Sequence, residues 1–258
     1  MLEYIAIPAA ALLASFLAFF AGFGLGTVLL PVFALFFPIV TAVALTAFVH
    51  LLNSLFRFLL VARHTNKDVV LRFGLITVIA SLAGALLLSN LADLKPLFTY
   101  TISDAGFEIT IIKIIVSAII LFFSLWEVLP PLRGASFERK YLPLGGFLSG
   151  FFGGLSGHQG PLRSAFLERS GLGKESFIAT NALIGIMVDI PRMAVYISSF
   201  PDLTAGNNLV ILSLATAAGL LGALAGSLWL KKITMRMIRI AISVMLAAIA
   251  IALGGGLI

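Results

Sequence analysis

The chain has 258 residues, of which 60% are apolar and only 11% charged, with a formal net charge of +6 and no cysteine. Soluble domains carry roughly 25% charged residues, so a soluble fold of this size and of mean hydropathy +1.13 would expose far more apolar surface than monomers tolerate. A soluble enzyme, a nucleic-acid-binding domain and a disordered chain are excluded. The composition is that of an integral membrane protein. Its Lys and Arg punctuate hydrophobic runs instead of gathering on one solvated face, which argues against a nucleic-acid partner. The lack of cysteine removes disulfides, thiolate metal sites and Cys nucleophiles. Met1-Leu2-Glu3-Tyr4 carries neither a basic region nor a small-residue cleavage site, so the first apolar run is expected to belong to the mature protein.

A spanning helix needs about 20 mainly apolar residues. Residues 5–21 form a first segment that ends in Gly22-Phe23-Gly24-Leu25-Gly26, and 27–37, closed by Pro38, is too short to span. Segments 39–62, 69–92 and 109–130 are each long enough. After Pro130-Pro131 and a polar linker through Lys140 the same order returns, as 142–153, 159–168, 176–199, 207–231 and 235–257. Letters repeat with the lengths. Phe19-Phe20-Ala21-Gly22 parallels Phe151-Phe152-Gly153-Gly154, Pro31 parallels Pro161, and Thr46-Ala47 parallels Thr180-Asn181. Arg57 likewise parallels Arg192, and Ala83-Gly84 parallels Ala225-Gly226. The expected architecture is all-α, one membrane domain of two repeats, 1–134 and 135–258, each a broken helical hairpin plus three transmembrane helices.

Charge sets the topology. If the first two segments return the chain to its starting side, one face holds Arg63, Lys67, Arg72, Arg133, Arg139, Lys140, Arg169, Lys174, Lys231, Lys232, Arg236 and Arg239. The other face holds Lys95 and Lys113 with Asp93, Asp104, Glu108 and Asp202. The basic face is expected in the cytoplasm, with both termini outside. Three crossings per repeat turn the second copy over, the inverted-repeat plan of many secondary transporters.

Unwound backbone at membrane depth must be buried in protein or line a watery cavity. The two glycine breaks leave helix N-termini there, at Gly24, Gly26 and Thr27 and at His158, Gln159 and Gly160, and such termini attract anions. Arg163 follows the second break, and Arg57 and Arg192 sit several residues inside their helices, one toward each face. Arginine forks onto oxyanions, although snorkelling would also accommodate these two. Asn53 and Asn181 are candidate amide donors to a substrate or bonds across helices. Asp189, three residues before Arg192 on one helix face, is an ion-pair partner or a protonatable switch, and Pro191 between them is expected to kink the helix. His50 and His158 are candidate proton carriers, whereas His64 lies in the basic loop. Gly84, Gly222 and Gly226 read as close helix packing. Gly22 to Gly26 lacks the βαβ context of a dinucleotide loop. Gly154-Leu155-Ser156-Gly157 has the shape used by intramembrane serine proteases, but the only later histidine, His158, is two residues on and points elsewhere.

The string Gly150-Phe151-Phe152-Gly153-Gly154-Leu155-Ser156-Gly157-His158-Gln159-Gly160, followed by Leu162-Arg163-Ser164-Ala165-Phe166-Leu167, resembles the second-half signature of the TauE/SafE sulfite exporter family. Gly22 to Pro31 is similar to the glycine-rich turn of its first half, though sparser, and the duplicated plan fits essentially the whole chain. Pro161 departs from that pattern at a position where a first helical turn tolerates proline. The resemblance implies export of sulfite or a small organosulfur anion from the bacterial cytoplasm through the inner membrane, linked to protons. Expected partners are the anion, protons and the lipid bilayer; no cofactor or metal is expected, and a homodimer is compatible with the pattern. An anion channel with the same residues is the alternative, and an intramembrane enzyme lacks a nucleophile–base pair or ligand set.

Overall fold

The computed structural model describes residues 1–18, 24–102, 104–129, 136–200, 203, 206–228 and 236–258, side chains excepted at 207 and 236–239. Phe19 to Phe23, the boundary between the expected halves, and Arg133, Asp202, Lys231 and Lys232 lie outside the described residues.

Ten helices follow in chain order among these residues. They are α1 (Glu3–Ala18), α2 (Leu25–Ala34), α3 (Ile39–Val61), α4 (Lys67–Ala92), α5 (Ile111–Val128), α6 (Leu142–Ser156), α7 (Gly160–Leu167), α8 (Lys174–Ser199), α9 (Asn207–Leu228) and α10 (Arg236–Gly254). Helices α3, α4, α5, α8 and α9 are long and apolar enough to cross a bilayer. The two short helices α2 and α7 stand where the glycine breaks predict them. Local chemistry sets several ends. The Asn66 side chain accepts from Val69 N at 3.0 Å and starts α4, and Thr110 accepts from Lys113 N at 3.2 Å and starts α5, each satisfying an amide that lacks a carbonyl four residues back. Gly157 at φ 79° terminates α6, a left-handed conformation that other residues adopt only with strain.

Three local features go beyond the expected pattern. The stretch 93–108, read as an outer loop, and the first residue of the segment after it hold the strands β1 (Phe98–Ile102) and β2 (Ala105–Ile109), paired antiparallel with Phe98 opposite Ile109 and Asp104 at φ 70° in the turn. The alternation of Thr99, Thr101 and the stacked Tyr100–Phe107 pair favours a strand. Val70–Gly74 forms one π-helical turn inside α4. Finally, α8 remains a single helix through Pro191.

Packing follows the small residues. The stripe Gly146, Gly150 and Gly154 on α6 lies against the backbone at Phe73, Thr77 and Ser81 of α4, where a Cβ at Gly150 would come within 2.5 Å of the Thr77 carbonyl oxygen. Both series rise together, so these two helices run parallel. Gly84 of α4 closes on α6 near Phe151 and Leu155, while Gly222 of α9 closes on α1 at Leu12. Helix α1 packs along α9 and α6 along α4. Helices α3 and α8 pack antiparallel, His50 beside Asp189 and Asn66, just past α3, beside Thr180. So do α5 and α10, with Ser124 Oγ donating to the Ser243 carbonyl at 2.7 Å and Gly254 lying against Ser117. Leu59, Ile79, Ile197, Leu221 and Ile251 are exposed on the outside of the bundle, the surface a bilayer covers.

Candidate functional site

Near the centre of the bundle the two short helices begin side by side. Gly24, in extended conformation, caps α2, and a Cβ added to it would lie 3.4 Å from Gly160 Cα and 3.7 Å from Gly160 N at the start of α7. One added to Gly26 would lie 3.1 Å from the Gly157 carbonyl oxygen. Glycine is what lets two backbones meet this closely. Leu25 and Gly26 at the start of α2 and Gly160 and Leu162 at the start of α7 carry first-turn amides without an intrahelical carbonyl. Thr27 N donates to the Gly24 carbonyl at 3.0 Å, and Pro161 has no N–H. Two helix N-termini with their positive dipole ends thus lie close together.

They converge on a cavity of about 340 Å3 whose lining includes Gly24, Gly160, Arg163, Arg57, His50 and Asn181. Arg163 is 4% exposed. Its Nε donates to Asn181 Oδ1 at 2.6 Å and one terminal nitrogen donates to Gln159 Oε1 at 2.8 Å, which fixes the guanidinium at the wall. Behind it the network continues, with Gln159 Nε2 donating to Asp189 Oδ1 at 3.2 Å. Asp189, fully buried, also accepts from Arg192 Nε at 3.0 Å and from a terminal Arg192 nitrogen at 2.7 Å. His50 Nδ1 lies 2.6 Å from Asp189 Oδ2, so the cavity wall is joined to the buried ion pair twice, through His50 and through Arg163 and Gln159. Arg192 reaches onward to the Gly153 carbonyl oxygen at 2.8 Å, a cation at the C-terminal end of α6, where the helix dipole favours it. The Tyr196 hydroxyl donates to the neighbouring Gly154 carbonyl.

Helix starts, a fixed arginine and amide side chains wall this cavity, with His50 and Glu168 among them. Ser156 Oγ donates to the Phe152 carbonyl at 3.0 Å and the His158 ring meets the Ser156 carbonyl rather than its hydroxyl, so these two form no catalytic pair. The family model of the sulfite exporter TauE/SafE matches residues 7–253, nearly the whole chain. The chain belongs to the TauE/SafE sulfite exporter family. Comparison with curated proteins and with solved structures finds no match. As a TauE/SafE member with five spanning helices among its described residues, it is a multi-pass membrane transporter.

Of the residues singled out in the sequence of this TauE/SafE transporter, Gly24, His50, Arg57, Gly160, Arg163 and Asn181 come together on the cavity. Gln159, Asp189 and Arg192 form the layer behind it. Arg192 is buried against Asp189 and Gly153, not on an outer approach, because its carboxylate neighbour and a helix end hold it inside the bundle. Asn53 donates to Ser15 Oγ at 2.7 Å and to the Gly219 carbonyl oxygen at 3.1 Å, tying α3 to α1 and α9. Gly26 and Thr27 lie in the first turn of α2 away from the lining, and the buried Thr27 hydroxyl has no partner among the described residues. His158 is fully buried and stacks on Phe123, ring centroids 5.9 Å apart. Sequence reasoning missed Ser54, Ser164, Glu168 and Lys174, which also line the cavity. Ser54 had a signal, since it follows His50 by four and precedes Arg57 by three on one helix face. Glu168 and Lys174 had none beyond their loop charge.

Proposed function

We propose that this transporter is a secondary carrier that exports sulfite or a related small organosulfur oxyanion across the bacterial inner membrane. The observation that carries this reading is the convergence of two helix N-termini and the fixed Arg163 on one cavity. Its amides and guanidinium match the trigonal or tetrahedral oxygens of such an anion. Arg57 and Lys174 outweigh Glu168 on the lining and leave the approach net cationic. The antiparallel packing of α3 with α8 and of α5 with α10 supports an inverted repeat, in which rocking of the halves about α2 and α7 opens the site to each face in turn. Proton linkage runs through His50 and Asp189. An anion that draws Arg163 away from Gln159 disturbs Asp189 as well, so anion and proton act on one hydrogen-bonded network.

The test is efflux of labelled sulfite from proteoliposomes. The wild type should saturate, show counterflow, and lose uphill transport when the pH gradient is collapsed. Arg163→Ala should lower the rate at least tenfold while the protein still inserts and purifies, and Arg163→Lys should recover part of it. Normal efflux by Arg163→Ala overturns the assigned site, and current without counterflow overturns the carrier.

A further inference from the structure

A second cavity, of about 530 Å3, lies at the hairpin end of the bundle, lined by the connection from α2 to α3 and by Glu108, Lys113 and Ile258. Two helices join it to the anion cavity. On α2, Gly24, Thr27, Pro31 and Ala34 share one face at spacings of three and four. Gly24 lines the anion cavity and Ala34 the outer one, ~15 Å further along the helix. On α3, Arg57, Ser54, His50, Thr46, Val43 and Ile39 form a matching stripe. Its first three residues line the anion cavity and its last the outer one. Between the cavities the way is shut. Leu30 and Val43 are buried, and the fully buried Phe33 sets its ring against Phe37 of the outer lining, centroids 6.0 Å apart.

Two polar atoms interrupt this apolar stretch. The hydroxyls of Thr27 and Thr46, each residue 1% exposed, have no hydrogen-bond partner among the described residues, a state that folded proteins seldom leave unexplained. Thr27 Oγ1 turns toward the start of α2, 3.6 Å from a Cβ added to Gly24. A Cβ added to Gly26 would lie 3.7 Å from Thr46 Cγ2 and 3.9 Å from His50 Cδ2. Thr46 thus stands one turn beyond His50 on the side of α3 that meets α2. On the reading that the inner cavity holds an oxyanion, we infer that the anion leaves it between α2 and α3, that Thr27 and Thr46 are its next binding station, and that the outer cavity is the exit. Once the helices part, each hydroxyl donates to an oxygen of the passing anion. Leu30, Phe33 and Val43 beyond them are the outer gate, closed in this conformation.

The experiment uses Thr27→Val with Thr46→Val, which removes both hydroxyls and keeps the branched shape. Because neither hydroxyl has a partner to lose, the double variant should unfold at the wild-type temperature or above, while efflux of labelled sulfite from proteoliposomes falls at least tenfold. A lower unfolding temperature makes the hydroxyls structural, and efflux at the wild-type rate leaves them idle; either result overturns the station. The gate is read separately in intact cells with Val43→Cys, the one thiol in a chain without cysteine. It should react with an impermeant anionic methanethiosulfonate at least fivefold faster while the cells transport sulfite than when sulfite is withheld. Equal rates, or no reaction in either state, overturn the path between α2 and α3. Wild-type efflux persists in all these cases and keeps the anion cavity standing, whereas folded wild-type protein without sulfite efflux removes cavity and path together.

Discussion

Asp189 and Arg192 lie wholly inside the bundle, where each charge alone would cost several kcal/mol, and they persist because each satisfies the other and both find further partners. Asp189→Ala leaves Arg192 buried without its counter-charge and should destabilise the protein by about 3–5 kcal/mol, read as a fall in unfolding temperature in detergent. Replacing both, Asp189→Met with Arg192→Met, should restore much of that stability, since a buried pair exchanged for apolar side chains is often neutral. A restored fold that no longer transports against a gradient would separate the coupling role from the structural one; full uphill transport would remove the coupling role. The i,i+3 spacing of this pair was readable in the sequence. Its third and fourth partners were not, because His50 and Gln159 stand 139 and 30 residues away from Asp189. Asn53 and Asn181 make the same point. Both are amides inside apolar helices, and only the packing of α1 and α9 around one, and Arg163 beside the other, gives them different work.

The elements were legible where spacing alone decides them. Two glycine breaks and the shortness of the segments that follow announce α2 and α7, and the apolar lengths announce the spans. The pairing of α4 with α6 was not legible, because a glycine every fourth residue states that something packs closely without saying what. That contact can be tested. Gly150→Ala forces a methyl to within 2.5 Å of the Thr77 carbonyl oxygen, and overpacking of this kind costs about 1–3 kcal/mol or more. Gly173→Ser, at the start of α8 where nothing lies within 4 Å, should change stability by no more than about 0.5 kcal/mol, since serine caps a helix as well as glycine does. Thermal unfolding of the two variants side by side checks the packing independently of transport. Equal stability would mean that α4 and α6 separate easily. The hairpin at 98–109 escaped the reading for a different reason: beside such long apolar runs, five-residue alternations carry little weight.

Across the whole molecule, ion pairs knit one face together. Asp68 binds Arg72 at 2.9 Å and Arg139 at 2.6 Å, and His64 meets Glu175 at 2.8 Å. The loops before α4, α6 and α8 therefore share one side, and they bring Arg63, Lys67, Arg72, Arg139, Lys140 and Lys174 with them. The hairpin lies at the opposite end, where Gly256 closes on Glu108 and Lys113 Nζ donates to the Glu108 carbonyl at 3.1 Å, with Lys95 the other described cation there. Such an imbalance orients a membrane protein with its basic side in the cytoplasm. Because the chain has no cysteine, single cysteines report accessibility without background. Thr101→Cys, exposed on β1, should react with a membrane-impermeant maleimide in intact cells. Lys140→Cys, before α6, should react only after the membrane is permeabilised. The reverse pattern would turn the molecule over and put the mouth of the anion cavity, where Glu168 and Lys174 stand, on the outer face. The labelling result therefore decides which face the cavity opens to in this conformation, and the gradient that drives the carrier sets the direction of transport.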